Sequence, residues 1–182
     1  MLAERPYITT RDEAMQTTTG NGQQVPPQPG TDPAQRLIVN AQYIKDLSFE
    51  NPRAPQSLQQ QQAAPAVDIN VDVNAQPLGP ETYEVVLTVN ASAKINDEAL
   101  FILELVYGAV VTAHNVPRDM LPPVLLVETP RLMFPFARNI VAEATQNGGF
   151  PPLLINPIDF SDLLRRNAAQ VPPAANDTTS VG

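Results

Sequence analysis

The chain has 182 residues, 43% of them hydrophobic, which suits one domain with its own core plus tails. It carries 11 basic against 19 acidic residues, a formal net charge of −8, and no cysteine. Disulfide and thiolate chemistry are therefore excluded, nucleic acid and anionic membrane are poor partners because phosphate binding needs clustered Lys and Arg, and a basic protein partner is electrostatically reasonable.

Residues 1–35 read as a disordered tail. The stretch "TTTGNGQQVPPQPGTDP" has almost no apolar content to bury. The opening "MLAERPYITTRDEAMQ" contains Glu4, Asp12 and Glu13 and lacks the apolar core of a secretory signal. No stretch reaches the roughly 18 apolar residues of a membrane helix, so a cytoplasmic protein with no membrane insertion is expected. The end "VPPAANDTTSVG" (171–182) reads as a second tail. The 20 prolines crowd into the tails and connections, which leaves 36–170 as the folded domain.

Four strand-like runs open that domain. The first spans Leu37 to Glu50 and contains "YIKDLSFENP". Alternation places Asp46 and Glu50 on one face with Ile44 and Ser48. At roughly 3.3 Å per residue the two carboxylates stand about 13 Å apart, too far for the roughly 5–9.5 Å of a glycosidase pair. They are not expected to be each other's catalytic partner; each could still pair with a residue across the sheet, and a solvated face and a docking surface are the other readings. After a Pro- and Gln-rich connection comes "VDINVDVN" (67–74), with Val67, Ile69, Val71 and Val73 on one side and Asp68, Asn70, Asp72 and Asn74 on the other. "QPLGP" (76–80) signals a turn. The third run, "ETYEVVLTVNASAKI", alternates again. The short connections favour antiparallel neighbours.

The fourth run, "ALFILELVYGAVVT" (99–112), is apolar on both faces: Phe101, Leu103, Leu105 and Tyr107 on one, Leu100, Ile102, Val106 and Val110 on the other with Glu104. Its outer face is expected to meet another chain or a ligand.

Helices follow. "PRDMLPPVLLVE" holds Pro122 and Pro123 and predicts a short or broken helix. "TPRLMFPFARNIVAEATQNGG" predicts a helix capped by Thr129, with Pro130 first and Asn147–Gly148–Gly149 as the stop. Its stripe of Leu132, Phe136, Ile140 and Ala144, flanked by Met133 and Ala137, should lie on the sheet. Pro135 is tolerable only near the first turn. A last helix is expected from Asn156 as cap and Pro157 as first residue, with Asp159 in its first turn.

Enzyme chemistry lacks parts. One His, no Cys and no G-x-S-x-G leave no nucleophilic site, no metal-ligand spacing exists, and no Gly-rich loop could cradle a phosphate, so neither catalysis nor a cofactor is expected. His114 reads as a surface or turn residue. Arg165–Arg166 complements a helix C-terminus.

Taken in order, "YIKDLSFENPRAP", "YEVVLTV", "FILELVYG", "FPFARNIVAEAT" and "GGFPPLLINPIDFSDL" make the chain resemble the SecB family of protein-export chaperones, over about residues 37–166. The resemblance implies an α+β fold, a four-stranded antiparallel sheet with helices packed on one face, assembling as a dimer of dimers. It implies an ATP-independent holdase that binds unfolded preproteins and delivers them to the SecA motor, whose basic, zinc-bearing tail docks on an acidic sheet surface. Carried over by motif, that surface is Asp46, Glu50, Ile102 and Glu104. Leu103, Leu105 and Tyr107 match positions linked to tetramer packing. Phe49, Ile69, Val71 and Leu164 are the candidates for the client groove. The chain departs from the family in having no tryptophan: the connection after the first strand, where one is common, holds "LQQQQ". A homo-oligomeric scaffold without client binding is the alternative that composition allows.

Overall fold

A computed structural model of the chain describes residues 35–59 and 64–170; both expected tails, residue 35 apart, and most of the "LQQQQ" stretch lie outside the described residues. Four strands, β1 (Arg36–Glu50), β2 (Ala66–Gly79), β3 (Thr82–Ile95) and β4 (Glu98–His114), form one antiparallel sheet in the order β1-β4-β3-β2. The helical part comprises a short helix α1 (Leu121–Pro123), a π turn (Val124–Glu128), the long helix α2 (Thr129–Asn147) and α3 (Phe160–Gln170). The fold is α+β, as the resemblance implied.

The hairpins follow from their turn residues. Asn96 and Asp97 join β3 to β4 with positive φ angles of 51° and 64°, the conformation that a two-residue hairpin requires and that Asn and Asp tolerate. β2 runs on to Gly79, through the "QPLGP" segment expected to turn, and the reversal falls at Pro80 and Glu81.

The alternation of β3 and β4 fills one face with Val85, Leu87, Val89, Ala91, Phe101, Leu103, Leu105, Ala109 and Val111, all buried. Burying such a side chain contributes about 1.5–3 kcal/mol, so this face is the main source of cohesion. Met133, Ala137 and Val141 of α2 and Phe160 of α3 join the same core. Leu100, expected on the opposite face, is the extra residue where the register slips between Ala93–Phe101 and Lys94–Ala99, and it is buried.

The helices differ from expectation at several points. Pro122 and Pro123 sit at the start of a helical run, where a missing N–H costs nothing, and the run continues through the π turn into α2. Thr129 is therefore not a cap: it is wholly buried, and its hydroxyl donates to the Val124 carbonyl at 2.9 Å. Pro135 is held inside α2. The stripe facing the sheet is Met133, Ala137 and Val141, one position on from the expected one, and Leu132 and Phe136 are 50% and 54% exposed. The last helix starts at Phe160, and Asp159 caps it by accepting the N–H groups of Ser161 (2.9 Å) and Asp162 (3.2 Å). Those bonds, the one from Asp162 first, hold the Asp159 carboxyl below its ordinary pKa.

At the far end of α2, Gly149 takes a φ of +90°. The N–H of Gly149 donates to Gln146 O, and that of Phe150 to Thr145 O. The buried Thr145 hydroxyl accepts the N–H of Leu153 at 2.9 Å and pins the connection to α3 against the helix.

Candidate functional site

The sheet face away from the helices is the candidate docking surface, and its composition follows from register. Three rows cross all four strands: Glu50–Ile102–Ser92–Asp68, Ser48–Glu104–Asn90–Asn70 and Asp46–Val106–Thr88–Asp72. Five carboxylates thus share a patch three strand spacings, about 15 Å, wide. Ile102, 43% exposed, lies among them. A shallow trough runs between Ser48, Glu50, Asp68, Asn70, Asn90, Ile102 and Glu104, with room for about 210 Å³. Asp46, Glu50, Ile102 and Glu104 therefore share this face. Asp68 and Asp72 belong to it as well, and sequence reasoning left them out. Their signal was the wet side of the alternating "VDINVDVN" run.

One expectation about β1 is corrected. Its register against β4 slips twice, at Asn40 and at Lys45. Each β-bulge inserts one residue and inverts the alternation. Between the bulges, Gln42 and Ile44 oppose Ala109 and Tyr107 on the helix side. Ile44 does not share a face with Asp46.

The next two rows are built around one buried acid. Glu84 on β3 is 5% exposed although it lies on the outer face. Tyr43 donates its hydroxyl to Glu84 Oε1, Gln76 donates its amide to Oε2, and Lys45 Nζ reaches both oxygens at 2.9 and 3.0 Å. The Tyr43 ring crosses Gly108 on the way: a Cβ there would lie 2.7 Å from the ring. The Tyr43 hydrogen bond first, then that of Lys45, holds the Glu84 carboxyl below its ordinary pKa against the opposing effect of burial. The same bond raises the Tyr43 hydroxyl, with burial adding to it.

On the other side of the molecule, Ile69, Asn70 and Val71 of β2, Ile155–Ile158 of the connection, and Leu163 and Arg166 of α3 line a groove of about 370 Å³. Ile69 and Val71 of the expected client set lie here. Leu164 packs partly buried against the core, and the neighbouring Leu163 lines the groove. Phe49 lies elsewhere, stacked on Phe101 at 5.7 Å and near Phe150 at 6.3 Å, close against Gly148.

Leu103, Leu105 and Tyr107 are buried beneath the helices of their own chain. Burial pushes the Tyr107 hydroxyl above its ordinary pKa. Such residues can shape an interface only from below. On this side Ile44 and Leu47 of β1 and Leu132 and Phe136 of α2 are exposed, as are Val67 and Ile69 of β2. Two buried polar atoms without a hydrogen-bond partner, Gln42 Oε1 and Arg138 Nε, are on β1 and α2. His114 lies at the end of β4 and meets Glu81 at 2.6 Å, while Glu81 also accepts the Asn115 N–H at 3.1 Å. Among the described residues, no group of three or more His, Asp or Glu could hold a metal, and no helix is long and apolar enough to cross a membrane.

Residues 30–171 match the family model described as SecB, preprotein translocase subunit SecB. The protein-export protein SecB of Bartonella quintana is 51% identical over 134 residues, covering 74% of this chain and 85% of that protein. That of Mesorhizobium japonicum is 52% identical over 134 residues, 74% of this chain and 80% of that one. That of Nitrobacter hamburgensis is 47% identical over 150 residues, 82% and 92%. Among solved structures, a SecB-like chaperone of Mycobacterium tuberculosis, in complex with a ChAD peptide from the HigA1 antitoxin, superposes with a TM-score of 0.57 at 14% identity. The superposition covers 68% of this chain and 91% of that one and shows a shared fold.

Proposed function

Because the chain belongs to the SecB family of protein-export chaperones, we propose that it is an ATP-independent holdase of the cytoplasm. It binds unfolded preproteins, keeps them competent for translocation and hands them to the SecA motor. The observation that carries this is the separation of two surfaces. Carboxylates crowd the outer sheet face around Ile102, and a groove with Ile69, Val71, Ile155, Ile158 and Leu163 among its lining opens between β2 and α3. A basic tail and a client segment can then be held at once.

On this reading, Asp46, Glu50, Ile102 and Glu104 receive the motor's tail, with Asp68 and Asp72 extending the surface. Ile69, Val71 and Leu163 contact the client through burial of apolar surface, at about 25 cal/mol per Å². No nucleotide is needed, because burial alone supplies the affinity. The exposed Ile44, Leu47, Leu132 and Phe136, beside the orphaned Gln42 and Arg138 atoms, favour a second copy of the chain on this side and a dimer of dimers.

The test is suppression of aggregation. A denatured preprotein diluted into buffer should stay dispersed when the oligomer is stoichiometric, without ATP. Aggregation at the control rate in excess oligomer overturns the holdase. An intact oligomer with no affinity for unfolded chains would instead establish the scaffold alternative, which the exposed apolar residues of β1 and α2 also fit.

A further inference from the structure

The outer face carries a cation, a half-exposed lysine whose ammonium is paired with a buried acid. Lys45 and Lys94 are the two lysines of the chain. Lys45 is the inserted residue of the second β1 bulge, next to Asp46. Left to itself, an ammonium there would stand among the carboxylates that attract a basic partner. Its side chain instead extends over the outer face toward β3, where Nζ meets both oxygens of Glu84. Glu84 is buried and ionised, and Tyr43 and Gln76 fix the direction of its oxygens. A carboxylate on a sheet face is ordinarily solvated; this one is covered by side chains from both edge strands.

We propose that Glu84 is a positioning residue for partner docking: it holds the Lys45 ammonium at one end of the outer face, in a trough lined also by Asp72, so that Asp46, Glu50 and Glu104 present their charge uncompensated. The inference rests on the docking role proposed above for this face. It names a residue that touches no partner and acts through Lys45.

The chemistry makes the device specific. Gln at 84 has the shape of Glu and can still accept from Tyr43, but it carries no charge to hold an ammonium. Lys45 is then free to pair with Asp46 and the carboxylates around it. The affinity for a cationic tail should fall by about two- to fivefold, the range of one exposed charge pair. Replacing Lys45 as well, in the double variant Glu84→Gln/Lys45→Gln, restores the wild-type net charge and removes the freed cation. A role in folding alone predicts no such recovery.

The experiment measures binding of the zinc-loaded C-terminal peptide of the SecA motor to the full-length oligomer. The wild type, Glu84→Gln, the double variant and Asp46→Lys are compared at low salt. Loss in Glu84→Gln with recovery in the double variant supports the proposal. Unchanged binding in Glu84→Gln, or no recovery, overturns it. Amine-reactive labelling of the same proteins reads the pairing itself, with Lys94 as internal reference. Lys45 should react more slowly than Lys94 in the wild type, and Glu84→Gln should close the gap. Equal reactivity in the wild type overturns the pairing without any variant. An unaltered affinity in Asp46→Lys would overturn the docking role, an outcome that the labelling ratio keeps separate.

Discussion

At Gly108 a single methyl group would collide with the Tyr43 ring on the outer face. A Cβ there would stand 2.7 Å from Cε2 and Cζ of Tyr43 and 3.0 Å from its hydroxyl oxygen. Ordinary carbon contacts lie at about 3.5–4.0 Å, so in Gly108→Ala the ring must lift off β4. Lifting it draws the hydroxyl away from Glu84, which is buried and charged. A hydrogen bond to a charged group contributes about 1.5–3 kcal/mol. Alanine offsets about 0.4–1 kcal/mol of that loss by stiffening the unfolded chain. The net destabilisation is then about 0.5–2.5 kcal/mol. Urea unfolding followed by far-UV circular dichroism reads it as a lower midpoint with an unchanged slope. Wild type and variant must be compared at one protein concentration, since association adds to apparent stability. Tyr43→Ala in the same background removes the collision, so the double variant should cost less than the sum of the two single changes. A Gly108→Ala protein as stable as the wild type, or strict additivity with Tyr43→Ala, would refute the account of the Tyr43–Glu84 contact.

Other consequences can be measured directly. The folded-state pKa of Glu84 is depressed, so its contribution to stability is present above the unfolded value of about 4.3 and is lost as pH falls through the folded value; Glu84→Gln should therefore flatten the acid limb of a pH–stability curve, and an identical limb would contradict the ion pair. Thr145→Val leaves the Leu153 N–H without its acceptor and should lower stability by about 1–3 kcal/mol, read by the same urea melts, with faster hydrogen exchange at Leu153. Asp68→Lys should weaken binding of the motor's basic tail by roughly two- to thirtyfold, twice the energy of an exposed pair, and more at low salt than at high; calorimetry showing no loss would remove β2 from the docking face. Ile69→Asp should weaken capture of an unfolded preprotein while leaving the oligomer's mass unchanged in native mass spectrometry.

The sheet was legible in the sequence because β2 over 67–74 and β3 alternate cleanly, and period two is the most direct signal a strand gives. Placing Asp46 and Glu50 on one face came from the same rule, applied to a stretch of β1 that contains no bulge. The rule failed at Ile44, since an inserted residue inverts alternation without leaving any compositional mark. The helix stripe slipped by one position for a related reason. Thr129–Pro130 looks like a helix start, and a helix that began there would present Leu132 and Phe136. The π turn before it means the helix is already running, and the Met133 side is the one that reaches the sheet. Glu84 was hidden in a run that reads as plain alternation: nothing in "TYEVV" tells that Tyr43, Lys45 and Gln76, from both outer strands, converge on it. Leu103, Leu105 and Tyr107, expected from the resemblance to serve tetramer packing, illustrate a different limit. A strand that is apolar on both faces shows that it is central, but sequence does not say whether a covering layer comes from the same chain or from another. For Leu103, Leu105 and Tyr107 the layer is their own helices.

The two bulges of β1 also bear on what the edge of the sheet offers to another strand. β1 and β2 are the margins of the sheet, and a margin offers a row of backbone donors and acceptors on which another extended chain can lay itself. On the proposed function, extended chains are the protein's regular company. In β1 the regular spacing of those groups runs only from 36 to 39, from 41 to 44 and from 46 to 50 before an extra residue interrupts it. An intruding strand that matches one segment is out of step with the next, so it can never zip along the whole edge. The irregularity that inverts the alternation of β1 also breaks the even ladder that edge-to-edge pairing needs.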